Sequence, residues 1–122
     1  MRQFKRSNRL GEQILRDLSQ VFLMDYSVKS PSLVTFTHVN LTDDLRYATI
    51  YYSCLGDDSK QKAVAEYLSR EKRHLRHAIG KNLNTRFIPE FTFKFDPSVA
   101  EGIKIEKLLD EVKNDTNERS DV

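Results

Sequence analysis

Alternating phenylalanines after a basic segment constrain the fold of this chain more than any other feature. Over residues 86–96, Phe91, Phe93 and Phe95 occupy every second position. Alternate residues of a β-strand share one face, so the three rings predict a strand that buries a large apolar area. Pro89 separates this strand from a long helical pattern before it. The chain therefore needs a sheet with one covered face.

A helix and a hairpin are predicted before that segment. Apolar residues at helical spacing predict a first helix over residues 7–24. Two alternating runs, 34–41 and 47–54, are typical of strands, and the aspartate-rich turn between them predicts a hairpin. The apolar phase of the first run changes midway, so we expect a β-bulge near Thr37 or His38.

Two apolar stripes predict helix over the central part of the chain. Glu71 and Lys72 occupy the positions that would join the stripes. This break predicts a kink or an exposed joint between two helices. The alternative is that the long stems of these two side chains cover the edge of the core. The stripes consist of Ala63, Val64, Tyr67 and Leu68, and of Leu75, Ala78, Ile79 and Leu83.

The C-terminal part predicts one more short helix. Pro97 suits a first helical position, and an apolar stripe follows over residues 105–112. No apolar residue occurs over residues 114–121, so we expect one domain over residues 1–113 and a disordered acidic tail over 114–122. The element order α-β-β-α-α-β, with a short helix appended, predicts an α+β fold in which helices cover one face of a three-stranded sheet.

Charge is concentrated in the central helical region. Residues 60–86 contain eight basic and two acidic residues, a local charge of +6, whereas the whole chain carries +2. Segregated positive charge indicates an anionic partner. The alternative is that these residues are simply a solvated helix face.

The sequence offers little evidence for a catalytic or metal-binding function. His74 and His77 are helix neighbours without a third ligand motif. The aspartate pairs at 43–44 and 57–58 occur in a turn and at a helix start, where aspartate is favoured for local hydrogen bonds. With four glycines and no phosphate-binding glycine loop, nucleotide hydrolysis is not expected. We therefore predict no enzyme activity, no metal and no cofactor.

The chain is predicted to be a cytoplasmic protein. Cys54 is the single cysteine, so no disulfide can form within the chain, which suits a reducing compartment. Apolar runs such as residues 21–24 are far too short to span a bilayer.

Several spaced motifs resemble those of the ribosome-binding factor A family. The most specific combination is Asp44-Leu45-x-x-Ala48 followed at a distance by Arg86-x-x-Pro89-Glu90. The resemblance extends over about residues 4 to 112. Further matching elements are Phe4-x-Arg6-x-x-Arg9, Pro31, Val39-x-Leu41-Thr42, Leu75-Arg76-x-x-Ile79-Gly80, and Gly102 with Leu108-Leu109.

The resemblance implies a type II K-homology (KH) fold and a non-enzymatic function. Members of the family bind the small (30S) ribosomal subunit and its rRNA late in assembly and support processing of the rRNA 5′ end. They leave with the aid of an assembly GTPase, and a monomer is expected. Family members carry Ala-x-Gly at the joint between the central helices, where this chain has Glu71-Lys72-Arg73.

The candidate RNA contacts are basic residues of the first helix and the central region. Phosphate neutralisation by such residues supplies most nonspecific affinity for RNA. Arg76 and Arg86 have a second interpretation, because buried hydrogen bonds could hold the fold together through them. The contacts are Lys5, Arg6, Arg9, Arg16, Lys72, Arg73, Arg76, Lys81 and Arg86.

Two alternatives remain open from the sequence. The basic helical face could bind an acidic protein partner, as a protein-interaction module. Tyr47 and Tyr51 could serve as stacking platforms for bases, because Thr49 between them indicates a half-exposed sheet face. The phenylalanines of residues 91–95 are predicted to be core instead.

Overall fold

The computed structural model of the protein describes residues 2–83, 85 and 87–98, with side chains described from residue 7 onward. The two α-helices and three strands confirm the predicted α+β class. Within the described residues, neither α-helix is long and apolar enough to cross a membrane. The elements are α1 (Arg2–Val21), a π-helical turn (Phe22–Tyr26), β1 (Val34–Leu41), β2 (Tyr47–Cys54), α2 (Asp58–Gly80) and β3 (Glu90–Phe95).

The first helix packs through the apolar stripe that the sequence predicts. Leu10, Ile14 and Leu18 are buried against the sheet. α1 begins at Arg2 and not at residue 7, because residues 2–6 contain neither glycine nor proline and nothing in them opposes helix formation.

The sheet has the strand order β1-β2-β3, in which β1 and β2 are antiparallel and β2 and β3 are parallel. The register of β1 against β2 shifts between Phe36 and His38, which confirms the predicted bulge and leaves Thr37 as the extra residue. Thr37 Oγ1 donates a hydrogen bond to Asp96 Oδ2 at 2.9 Å. The bulge thereby ties the outer strand β1 to the end of β3.

The helices cover the sheet face that carries the phenylalanines. Phe91 lies beside Ala48 of β2 and is only 2% exposed. Phe93 and Phe95 are half-buried and pack against the same core. The predicted core role of the three rings is confirmed, and their burial decreases along β3, which lies at an edge of the sheet.

The central helical region is one continuous helix, which corrects the prediction of a joint between two helices at Glu71 and Lys72. α2 runs through these positions without interruption. Both side chains are half-buried, and Lys72 lies beside Tyr52 and Phe93 in a shallow depression at the edge of the core. Their long stems therefore continue the apolar stripe, and residues 58–79 contain neither glycine nor proline to break the helix.

The chain is described as far as the start of the predicted C-terminal helix. Pro97 and Ser98 are helical, and Asp96 Oδ1 accepts hydrogen bonds from Ser98 N at 3.0 Å and from Ser98 Oγ at 2.7 Å. Pro97 thus occupies a first helical position, as predicted, with Asp96 as the capping residue. The rest of that helix, the domain boundary at residue 113 and the tail over 114–122 lie outside the described residues.

Candidate nucleic-acid interface

The solvent-facing side of α1 carries a polar and basic stripe. Arg9, Gln13 and Arg16 are spaced by four and three residues, so they lie on one helix face. Both arginines are exposed, and their Cα atoms are about 10 Å apart along the helix axis. α1 therefore presents two cations to solvent on the side opposite its buried stripe.

A hydrogen bond joins this face of α1 to the end of α2. Gln13 Nε2 donates to Asn82 O at 3.1 Å. Lys81, which directly precedes Asn82, is exposed at the C-terminal end of α2. The contact brings Arg9, Arg16 and Lys81 around one junction, and we call these three cations with the Gln13–Asn82 hydrogen bond the basic seam.

The surroundings of the basic seam also contain acidic groups. Glu12 is exposed on α1 beside Gln13. Asp17 lies one turn after Gln13, and its Oδ2 atom is buried with no hydrogen-bond partner in the described part of the chain. An anion that binds here must therefore contact the tips of Arg9 and Arg16 and avoid the flank of the helix.

A second group of cations lies on the exposed side of α2. Arg73 is exposed and stands about 12 Å from Lys81 along the helix axis. Arg70, one turn before Arg73, is also exposed, and its guanidinium carbon lies 5.9 Å from the centroid of the Tyr67 ring. Arg70 is absent from the predicted contacts, although its spacing of three residues from Arg73 is the signal that could have identified it. Lys72 is less accessible, because its stem covers the edge of the core.

Arg76 bonds to the main chain of the segment that leads into β3. Its Nε atom donates to Pro89 O and a terminal nitrogen donates to Ile88 O, each at 2.9 Å. The guanidinium carbon also lies 6.0 Å from the centroid of the Phe91 ring. The fold-holding role that the sequence left open for Arg76 is therefore present in the structure.

Three of the predicted contacts cannot be placed as side chains. Lys5 and Arg6 belong to the first part of α1, where the backbone alone is described. Arg86 lies outside the described residues. Their predicted contacts with RNA stay predictions.

The paired aspartates act in local structure, as predicted. Asp44 Oδ1 accepts hydrogen bonds from Thr42 Oγ1 at 2.6 Å and from Arg46 N at 3.1 Å. These hydrogen bonds lower the pKa of Asp44, and the bond from the Thr42 side chain has the largest effect. Asp57 caps α2 by accepting a hydrogen bond from Lys60 N at 3.1 Å. Both groups stabilise a turn or a helix start.

The histidines of α2 lie on the exposed surface of the helix. His74 Nδ1 lies 3.1 Å from Glu71 Oε2. No three His, Cys, Asp or Glu side chains come together as ligands among the residues that the structure describes. His74 is thus a surface residue of a basic helix.

These features define a small α+β protein with exposed cations on its two helices. The family model for ribosome-binding factor A matches residues 6–109. The ribosome-binding factor A of Lactobacillus johnsonii is 45% identical over 117 residues, which covers 93% of this chain and 94% of that protein. The chain belongs to the ribosome-binding factor A family. Membership of this family also confirms the prediction that it is not an enzyme.

Solved structures share the fold. The solution structure of a Thermotoga maritima protein, proposed to be a ribosome-binding factor A, is 34% identical with a TM-score of 0.63, covering 73% of this chain and 85% of that chain. The Thermus thermophilus ribosome-binding factor A, a homology model fitted into a cryo-EM map of its complex with the 30S subunit, is 21% identical with a TM-score of 0.62. That comparison covers 75% of this chain and 96% of the other.

Proposed function

We propose that this protein binds the small ribosomal subunit through rRNA, late in the assembly of the subunit. Family membership supports this function. The Thermus thermophilus relative is seen in a complex with the 30S subunit, which is the partner proposed for this chain. Two finer proposals accompany it. Binding supports processing of the rRNA 5′ end in the cytoplasm, and the factor leaves as a monomer when an assembly GTPase acts.

The observation that carries the proposal for this chain is the basic seam. Arg9 and Arg16 on α1 and Lys81 at the end of α2 are exposed, and the hydrogen bond from Gln13 to Asn82 joins α1 to the residue that follows this end. None of the three cations belongs to the hydrophobic core. Cations that are exposed on a fixed frame can neutralise phosphates without local refolding of the protein.

The proposal is tested with a charge-reversal variant. We expect R9E/R16E/K81E to stay folded and to bind purified small subunits more than tenfold more weakly at moderate salt. Loss of three phosphate contacts should also reduce the slope of log affinity against log salt by about 2 to 3, at roughly 0.7 to 0.9 per contact. Circular dichroism establishes folding first, and fluorescence anisotropy of labelled protein then gives affinity at several salt concentrations.

A matched control separates the basic seam from total charge. Lys29, Lys62 and Lys94 are exposed in other parts of the surface, so K29E/K62E/K94E changes the net charge by the same amount. We expect this control to keep most of the affinity and of the salt slope. Equal losses in the two variants would mean that only the overall charge matters and that the seam is a solvated face.

The same proteins test the alternative of an acidic protein partner. Wild-type protein should bind protein-free small-subunit rRNA, and the seam variant should bind it weakly. Binding to assembled subunits without any binding to protein-free rRNA would favour the protein-interaction module instead. The processing proposal is checked by measuring 5′ end processing of the rRNA in cells whose only copy of the protein carries the seam substitutions.

A further inference from the structure

An aromatic depression lies at the end of the sheet where β2 and β3 begin. It has a volume of about 320 Å³ and is lined by Arg46, Tyr47, Phe87, Ile88 and Glu90. Tyr47 is 58% exposed and Phe87 is 64% exposed. Large aromatic rings that remain accessible beside one cation are more typical of a binding site than of a core edge.

The wall of the depression is held in place by contacts of its main chain. Glu90 N donates to Arg46 O at 2.8 Å, which joins the starts of β3 and β2. Arg76 holds the carbonyls of Ile88 and Pro89, as described above. Thr85 Oγ1 donates to Phe87 O at 2.9 Å. The main chain of the depression is therefore in place before a ligand arrives, which lowers the entropy cost of binding.

The depression is continuous with the end of α2. Ile88 packs directly on Gly80, because a Cβ atom added to Gly80 would clash with Ile88 Cδ1. Lys81 of the basic seam is the next residue of the chain. An RNA strand that runs from the basic seam past the end of α2 would therefore reach the depression at Ile88.

The lining of the depression fits a nucleobase better than a phosphate. Two aromatic rings offer stacking faces, and the carboxylate of Glu90 can accept hydrogen bonds from N–H groups of a base. Arg46 supplies one cation for the phosphate next to the base. The depression itself has room for about one nucleotide, because its volume lies near the lower limit of small-molecule pockets, about 300 Å³.

We propose that this depression stacks one unpaired base of the RNA that crosses the basic seam. The inference rests on the proposed function and deepens it, because it specifies single-stranded RNA. Bases of an A-form duplex are stacked on each other and cannot enter such a site, whereas bases of loops and ends can be splayed out.

The test compares two oligomers of equal length and charge in an anisotropy assay. One is a short single-stranded oligoribonucleotide, and the other has the same sugar-phosphate backbone without bases. We expect Phe87→Ala and Tyr47→Ala each to weaken binding of the first oligomer by roughly 5- to 160-fold, the range for loss of one stacked base. Binding of the oligomer without bases should stay unchanged.

Two further variants control for folding and for apolar contact. Phe87→Leu keeps an apolar side chain of similar reach but removes the ring, so it should be folded and still bind the base-containing oligomer weakly. Leu33→Ala truncates another exposed apolar side chain, which is 63% exposed and lies just before β1, and it should leave both affinities unchanged. Phe87→Trp should restore the affinity, because a larger ring still stacks.

Several results would overturn the proposal. One is that the Phe87 and Tyr47 variants lose equal affinity for both oligomers. Another is that a folded Phe87→Leu variant loses no affinity for either oligomer. Weaker binding to assembled subunits with unchanged binding to the oligoribonucleotide would assign the depression to a protein contact. These results differ from failure of the proposed function, in which R9E/R16E/K81E itself would leave small-subunit binding intact.

Discussion

Replacement of Arg76 by alanine tests whether this cation holds β3 against α2. The guanidinium makes two hydrogen bonds of 2.9 Å to the carbonyls of Ile88 and Pro89 and is half-buried. A hydrogen bond with one charged partner contributes about 1.5 to 3 kcal/mol to stability. Water can reach part of this site in the variant and can replace part of the hydrogen bonding that the two carbonyls lose. We therefore expect Arg76→Ala to lower the free energy of unfolding by about 2 to 4 kcal/mol, a large share of the roughly 5 to 15 kcal/mol that is typical of a domain.

The measurement is urea unfolding followed by circular dichroism, in which the midpoint should fall while the slope stays constant. Arg76→Lys keeps the charge, but lysine has no planar fork that can bond to both carbonyls. The free energy of unfolding of this variant should therefore lie between those of wild type and Arg76→Ala. Arg73→Ala is the matched control, because Arg73 is exposed one turn earlier, and it should change stability by no more than about 0.5 kcal/mol. If Arg76→Ala lowers the free energy of unfolding no more than Arg73→Ala does, the structural role of Arg76 is refuted. Arg76 is then a candidate RNA contact only.

Two further predictions concern the core and the end of β3. Phe91→Ala should cost about 3 to 5 kcal/mol in thermal or urea unfolding and Phe93→Ala clearly less, because Phe91 is fully buried and Phe93 is not; equal losses would contradict this order. Hydrogen bonds from the Ser98 side chain and backbone, and then from the Thr37 side chain, lower the pKa of Asp96. The ionised Asp96 therefore stabilises the fold above the unfolded-state pKa of about 3.9, and this contribution is lost as the pH falls through the lower folded-state pKa. Asp96→Asn should thus be less stable than wild type at neutral pH, with a stability gap that narrows in acid; a gap of constant size from neutral to acid pH would contradict this.

The parts of the fold that depend on local pattern could be predicted from the sequence. The change of apolar phase within residues 34–41 identified the bulge at Thr37, because a shift by one residue moves side chains to the other sheet face. The same reasoning failed at Glu71 and Lys72. A binary division into apolar and polar residues takes no account of the methylene stems that let these side chains cover the core edge.

The candidate site was predicted only in part, because tertiary contacts decide it. The sequence identified Arg9, Arg16 and Lys81 as cations outside the core. No local sequence pattern indicates the hydrogen bond from Gln13 to Asn82 that joins the two regions in which they lie. Arg76 is itself one of the predicted RNA contacts, and the sequence also left a fold-holding role open for it. The approach of the carbonyls of residues 88 and 89 establishes that role, and this approach cannot be read from the sequence.

The continuity of α2 determines how this chain can contact RNA at residues 71–73. Within a continuous α-helix each backbone N–H donates to the carbonyl four residues earlier, so the amides at these positions are not available to phosphates. Contacts along α2 must therefore come from side chains such as Arg70 and Arg73. Cations on long stems position a phosphate backbone but do not distinguish one base from another. Selectivity for an RNA site would then have to arise where bases can be touched, which is the role that we propose for the depression between Tyr47 and Phe87.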